Sequence, residues 1–401
     1  MPQNLPFDIG SLHEAYAAGL DPQAVIEECF RRLAEADDPG IFLHLAEKAS
    51  VLAEAAALGP FDPVAKPLWG VPFAIKDNID MAGAPTTAAC PEFAYKADAD
   101  SFVVAQLRAA GAIPIGKTNL DQFATGLVGV RTPYPVPRNA LDPAIVPGGS
   151  SSGSGVVVAR GIVSFSLGTD TAGSGRVPAA LNSIVGLKPS LGALSNRGVV
   201  PACLSLDTIS VFALTVADAY RVFRSCAVYD EADSFARDLP APALTAPPPR
   251  FKLGVPDANT REFFGDDLQA AAFERALGLL AEQGAAIVEI DFTPFYDVAR
   301  MLYEGAWVAE RHAAIEDVLR DRPEVVFPVT RHIIEAAKKL SATDAFRGFY
   351  RLEDLKRRVA PVLAAVDLLC VPSIPTFYSV ADLAADPIGP NARLGTYTNF
   401  V

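Results

Sequence analysis

The 401-residue chain is 50% hydrophobic and 20% charged, enough apolar surface for a substantial packed core, which excludes a disordered or low-complexity protein. Its 34 basic and 47 acidic residues leave a formal charge of −13, which argues against a nucleic-acid or anionic-membrane partner. Apolar runs fall short of the roughly 18–20 residues of a membrane span.

The N-terminus has no basic stretch followed by an apolar one, so no signal peptide is expected. Asp21-Pro22 then marks a helix start, with Val25, Ile26, Cys29, Phe30 and Leu33 at helical spacing. A second helix is predicted over 44–58, ending near Gly59-Pro60, so 1–60 reads as an N-terminal helical segment. From about Gly70 the pattern changes. Residues 71–75 form an apolar strand, 101–110 a helix ending at Gly111, and 112–115 the next strand. A glycine- and serine-rich stretch opens into apolar 156–159, and 162–167 reads as another buried strand. This alternation predicts an α/β fold with a parallel or mixed sheet covered on both faces, occupying 61–238. Five prolines crowd 239–250, which reads as an irregular surface connection. Strands at 251–255 and 286–290 flank a helix at 267–283, a helix-rich block covers 295–365, and 367–371 is a last strand in a second part, 251–401. The end at Val401 carries no capping signal and reads as an interruption.

The five cysteines, Cys29, Cys90, Cys203, Cys226 and Cys370, are scattered and lack C-x-x-C spacing. They predict buried thiols in a reducing cytoplasm, not a disulfide framework or a zinc site.

Chemistry is expected at two clusters. Pro147-Gly-Gly-Ser150-Ser-Ser-Gly-Ser-Gly155 precedes an apolar helix, and Gly168-Thr-Asp-Thr-Ala-Gly-Ser174-Gly-Arg176 follows an apolar strand. Such loops can bring several backbone N–H groups to one point, as a phosphate cradle does, or can serve as linkers. Neither cluster ends in the Gly-Lys-Ser/Thr of a P-loop, and a linker would not lie between apolar elements. A nucleophilic serine needs a base. The histidines, His13, His44, His312 and His332, fall in predicted helices far from both clusters. Lys76 instead closes a buried strand, where desolvation can turn it into a neutral amine; a lysine paired with Asp77 or Asp80 is the plainer alternative.

Taken together in this order and at these separations, Lys76, Gly-Gly-Ser150-Ser-Ser-Gly-Ser and Asp-Thr-Ala-Gly-Ser174-Gly-Arg176 resemble the amidase signature family. The likeness extends over nearly the whole chain, to Gly186-Leu-Lys-Pro189 and beyond. It implies an α/β fold around a mixed twisted sheet and a Ser-cisSer-Lys triad that hydrolyses carboxamides through an acyl-enzyme, without metal or cofactor. Carried over, Ser174 is the nucleophile, Ser150 the bridging serine after a cis peptide, and Lys76 the ultimate base. The backbone N–H groups of Thr171, Ala172, Gly173 and Ser174 are the expected oxyanion hole.

Thr118-Asn-Leu-Asp-Gln-Phe-Ala-Thr-Gly126, the Thr-Ala-Gly-Ser174 segment and Leu302-Tyr303-Glu-Gly-Ala-Trp-Val-Ala-Glu-Arg311 are similar to the allophanate hydrolase branch. The resemblance implies that Tyr303 and Arg311 hold the substrate, with Gly126 beside it. A guanidinium with a phenol suits a carboxylate, and residues eight apart can share one helix face. The implied reaction cleaves allophanate to ammonia and N-carboxycarbamate; malonamate or biuret as substrate, a glutamyl-tRNA amidotransferase component, and an inactive paralogue are the alternatives. The family also implies a homodimer and a domain that normally continues past the equivalent of Val401, often into a further domain.

Overall fold

The structure, a computed structural model, describes residues 5–246 and 248–401. Residues 1–4, part of the expected leaderless N-terminus, and Pro247 of the proline-rich connection lie outside the described residues. Among the described residues, no helix is long and apolar enough to cross a membrane.

A six-stranded mixed sheet draws its strands from between Phe42 and Ala213, in the order Phe42–Leu45, Ile113–Thr118, Pro72–Lys76, Phe165–Thr169, Ile209–Ala213, Val185–Leu187. Its three central strands, Ile113–Thr118, Pro72–Lys76 and Phe165–Thr169, run parallel, and the outer pairings are antiparallel. Buried residues on both sides explain why these segments read as continuous apolar runs. One core packs Phe73, Ile75, Phe165, Leu167 and Val211 against Val103, Val104 and Leu107 of the Phe102–Ala109 helix. The other packs Ile113 and Ile115 against Val156–Val158 and against Val25, Ile26 and Cys29 of the Pro22–Ala36 helix. The N-terminal helices are thus part of the sheet's covering layer.

The helix expected over 44–58 is shorter. Residues Phe42–Leu45 form a strand, and the helix covers Lys48–Ala56. The free edge of the Ile113–Thr118 strand captures this segment: His44 pairs with Lys117 and Leu45 with Gly116. Of the sheet's strands, Ile209–Ala213 and the short Val185–Leu187 edge are additions to the sequence reading.

Beyond the proline-rich connection, Phe251–Pro256, Ala285–Ile290 and Leu368–Leu369 make a separate three-stranded parallel sheet. The intervening helices run from Thr293–Glu304 through Ala342–Ala364. At the C-terminus Leu394 and Tyr397 are buried, the Tyr397 hydroxyl donates to the Glu262 carbonyl at 3.0 Å, and Phe400 packs edge-on against Phe292 and Phe295. An apolar groove of about 780 Å³, lined among others by Phe295, Leu363, Leu369, Val371 and Phe400, lies beside Val401.

Candidate active site

Lys76 and Thr169 end two adjacent parallel strands, so their side chains emerge together at the carboxyl edge of the sheet. Ligand sites in open α/β sheets form at this edge. Lys76 is fully buried, and its Nζ lies 2.7 Å from Ser150 Oγ and 2.7 Å from Thr169 Oγ1. Among the described residues, no carboxylate pairs with it. Asp77 instead pairs with Lys117, at 3.3 Å, and takes a hydrogen bond from the Thr87 amide at 3.0 Å. Desolvation pushes the Lys76 pKa down to about 7, opposed by the charges of Asp121, Asp207 and Asp170.

The glycines of the first serine cluster serve close packing. A Cβ on Gly153 would stand 2.3 Å from the Ile41 carbonyl oxygen and 2.7 Å from the Asn119 nitrogen. The Ser152–Ala159 helix can therefore sit directly on the chain beneath it. Most of its serines satisfy backbone groups: Ser154 Oγ donates to the Leu167 carbonyl at 2.9 Å and Ser152 Oγ to that of Asn119 at 3.3 Å. Ser150 differs in facing Lys76, and its peptide bond with Gly149 is cis.

The second cluster follows the Phe165–Thr169 strand as a tight loop. Asp170 is buried and accepts from the Gly175 amide at 3.0 Å and from Arg176 Nε at 2.9 Å. Burial alone would raise its pKa, but Arg176 and Lys188 hold the carboxyl well below the usual range. Thr171 hydrogen-bonds the buried Asp207 carboxylate through its hydroxyl. A Cβ on Gly173 would meet Thr398 Oγ1 at 2.3 Å, so the C-terminal segment backs this loop. Among the described residues, the backbone N–H groups of Thr171, Ala172, Gly173 and Ser174 donate to no protein acceptor, whereas the next amide, Gly175, is engaged. The Ser174 hydroxyl donates at 3.5 Å to the Gly126 carbonyl and not to Ser150.

Gly126 has its own reason to lack a side chain. A Cβ there would lie 2.4 Å from Asp121 Oδ2, so the glycine accommodates a buried carboxylate. Next to it, Thr125 Oγ1 accepts from Arg311 Nη1 at 3.2 Å. Arg311 is buried, its Nη2 reaches the Tyr303 hydroxyl at 3.4 Å, and its Nε has no hydrogen-bond partner among the described residues. Tyr303 and Arg311 do not share one helix face, contrary to the spacing argument. Tyr303 lies near the end of the Thr293–Glu304 helix and Arg311 on the separate Trp307–Ala314 helix. Gly305, in an extended conformation, breaks the run, and the turn still brings the two side chains together. A cavity of about 720 Å³ reaches Tyr303 and the buried Arg131.

Of the histidines, His332 lines the same cavity. None hydrogen-bonds Ser150 or Ser174 among the described residues, and burial pushes His13 down to about 4. Thr169, Asp121 and Asp207 were missed by sequence reasoning, because their contacts depend on strand register and loop return. Asp121 and Thr169 did lie inside recognised motifs.

Comparisons with known proteins place the chain in a family. The family model Amidase matches residues 24–386. The chain is 50% identical over 340 residues to urea amidolyase of Saccharomyces cerevisiae, covering 84% of this chain but 18% of that protein, so it spans about a fifth of that relative's length. It is 34% identical over 418 residues to a glutamyl-tRNA(Gln) amidotransferase component of Chloroflexus aggregans, covering 95% of this chain and 84% of that protein. Among solved structures, Kluyveromyces lactis allophanate hydrolase superposes with a TM-score of 0.91 at 42% identity, covering 98% of this chain and 65% of that one. With the fold and nearly the whole sequence in agreement, the chain belongs to the amidase signature family.

Proposed function

We propose that this chain hydrolyses allophanate (urea-1-carboxylate) to ammonia and N-carboxycarbamate through an acyl-enzyme on Ser174, with no metal or cofactor. One observation carries the substrate class, a short acidic amide, and the likeness to Kluyveromyces lactis allophanate hydrolase favours allophanate over malonamate. Consecutive residues join the two ends of the site: Gly126 receives the Ser174 hydroxyl, and Thr125 receives Arg311. A carboxylate held by Arg311 and Tyr303 then suits a very short substrate, and allophanate has one nitrogen between its carboxylate and its amide carbonyl.

Neutral Lys76 accepts a proton from Ser150, and Ser150 accepts one from Ser174 as Ser174 Oγ attacks the carbonyl carbon. Ser174 must first turn from the Gly126 carbonyl toward Ser150; such contacts commonly tighten only when substrate binds. The unpaired N–H groups of Thr171 to Ser174 receive the developing oxyanion. One such donor is typically worth about 10²–10³ in rate. Collapse breaks the C–N bond, and the relay returns a proton to the departing ammonia. Water then attacks the acyl-enzyme with the same serine–lysine pair as base, releasing N-carboxycarbamate.

The test is ammonia release from allophanate as a function of pH. Activity rises with an acid limb near pH 7, where Lys76 loses its proton. Ser174→Ala abolishes turnover without changing the fold, and a fluorophosphonate probe labels the wild type at Ser174. A Ser174→Ala variant releasing ammonia at near the wild-type rate refutes the nucleophile. Faster turnover of malonamate or biuret than of allophanate refutes the substrate.

A further inference from the structure

Asp121 lies outside the expected triad, yet its buried carboxylate touches the supports of both serines. Its backbone N–H donates to the Ser150 carbonyl at 2.9 Å. Its carboxylate accepts from the amides of Gly129 at 2.9 Å, Arg131 at 2.8 Å and Val128 at 3.3 Å. Two glycines exist around it at a steric limit. A Cβ on Gly149, the residue before Ser150, would fall 2.0 Å from Asp121 Oδ2, and one on Gly126 would fall 2.4 Å from the same atom. The Gly126 carbonyl in turn holds the Ser174 hydroxyl.

We infer that Asp121 is a positioning residue for the reaction: its backbone N–H holds the Ser150 carbonyl, its carboxylate holds the Gly126–Arg131 loop and packs against Gly149, and together they fix where Ser150 and Ser174 stand relative to Lys76. The inference rests on the catalytic reading above. The three close partners of the carboxylate are N–H donors, so the cradle suits the ionised form. Burial on balance holds the Asp121 pKa above the usual carboxylate range, with Arg131, the amide donors and Lys76 offsetting part of the rise. Its charge is also the first of those that counter the desolvation of Lys76, ahead of Asp207 and Asp170 and against Arg311.

The experiment measures the second-order rate of fluorophosphonate labelling per labelled site, across pH, for wild type, Asp121→Asn and Asp121→Ser. Counting only labelled sites removes misfolded enzyme from the rate. Both variants are expected to label about tenfold to a hundredfold more slowly at the alkaline plateau, the scale of a misplaced reacting group. Without the negative charge, protonated Lys76 is less favoured, so the acid limb moves to lower pH. Labelled sites that react at the wild-type rate with the wild-type limb, or variants that fail to fold at all, make Asp121 a structural residue and overturn the assignment. A wild type that resists labelling at Ser174 refutes the catalytic reading itself.

Discussion

Replacing Thr169 by valine removes one hydroxyl from the closest shell of Lys76 and leaves the shape nearly unchanged. Thr169 is buried, and its Oγ1 is one of two groups 2.7 Å from Lys76 Nζ. A hydrogen bond to a charged group is worth about 1.5–3 kcal/mol and a neutral one about 0.5–1.5. The hydroxyl therefore favours the ammonium over the amine by about 1.4 kcal/mol, or about one pKa unit. Lys76 stands at about 7, so its loss moves the acid limb of kcat/KM down toward about pH 6. The sign follows from which form loses a partner. The ammonium loses more, so the neutral base survives to lower pH. The amine also loses the acceptor that turns its lone pair toward Ser150, which lowers the plateau about fivefold for about 1 kcal/mol. The two effects oppose, and the profiles of variant and wild type converge near about pH 6 while separating above pH 8. Ammonia release, corrected for spontaneous breakdown of allophanate, gives both profiles. A uniform loss with an unmoved limb, or a limb displaced to higher pH, would refute the claim that Thr169 sets the proton affinity of Lys76.

Two further outcomes follow from the same geometry. Arg311→Gln keeps a donor but loses the charge, and should cost allophanate about 1.5–3 kcal/mol in kcat/KM while a neutral amide is nearly unaffected; equal losses on both substrates would remove the carboxylate receptor from the mechanism. Gly149→Ala should lower the melting temperature and cut the rate of Ser174 labelling together, since its Cβ has to displace the Asp121 carboxylate 2.0 Å away; a variant with wild-type stability and labelling rate would show that the carboxylate moves aside freely.

The two serine clusters and Lys76 stood out in the sequence because their signals are local, while their proposed roles came only with the family resemblance. Lys76 closes an apolar run, and both serines stand in glycine-rich segments between apolar elements, so neither serine needed long-range information to be singled out. The cis peptide before Ser150 came only with the family resemblance, as nothing in a Gly-Ser pair demands it. Two alternatives for the glycines, a cradle and a linker, stayed open in the sequence and are answered by contacts. Gly149 and Gly153 are needed where the chain approaches Asp121 and the Ile41–Asn119 backbone, far away in sequence.

The errors have the same origin. Residues 44–58 have enough apolar spacing for one helix, but an open strand edge at Lys117 and Gly116 rewards extension of the first few residues, and sequence periodicity cannot see that edge. Tyr303 and Arg311 were paired by counting turns of a helix that Gly305 interrupts. They meet because the break redirects the Trp307–Ala314 helix, so the expected contact forms through a different geometry. Thr169 and Asp121 show the limit most clearly. Each stands inside a segment the sequence singled out, but each makes its contacts with atoms supplied by another strand or loop. Their roles follow from the register that sets Ile75 against Leu167 and from the return of the Gly126–Arg131 loop over Ser150. A residue that makes chemistry possible through its neighbours becomes visible only when those neighbours have been placed.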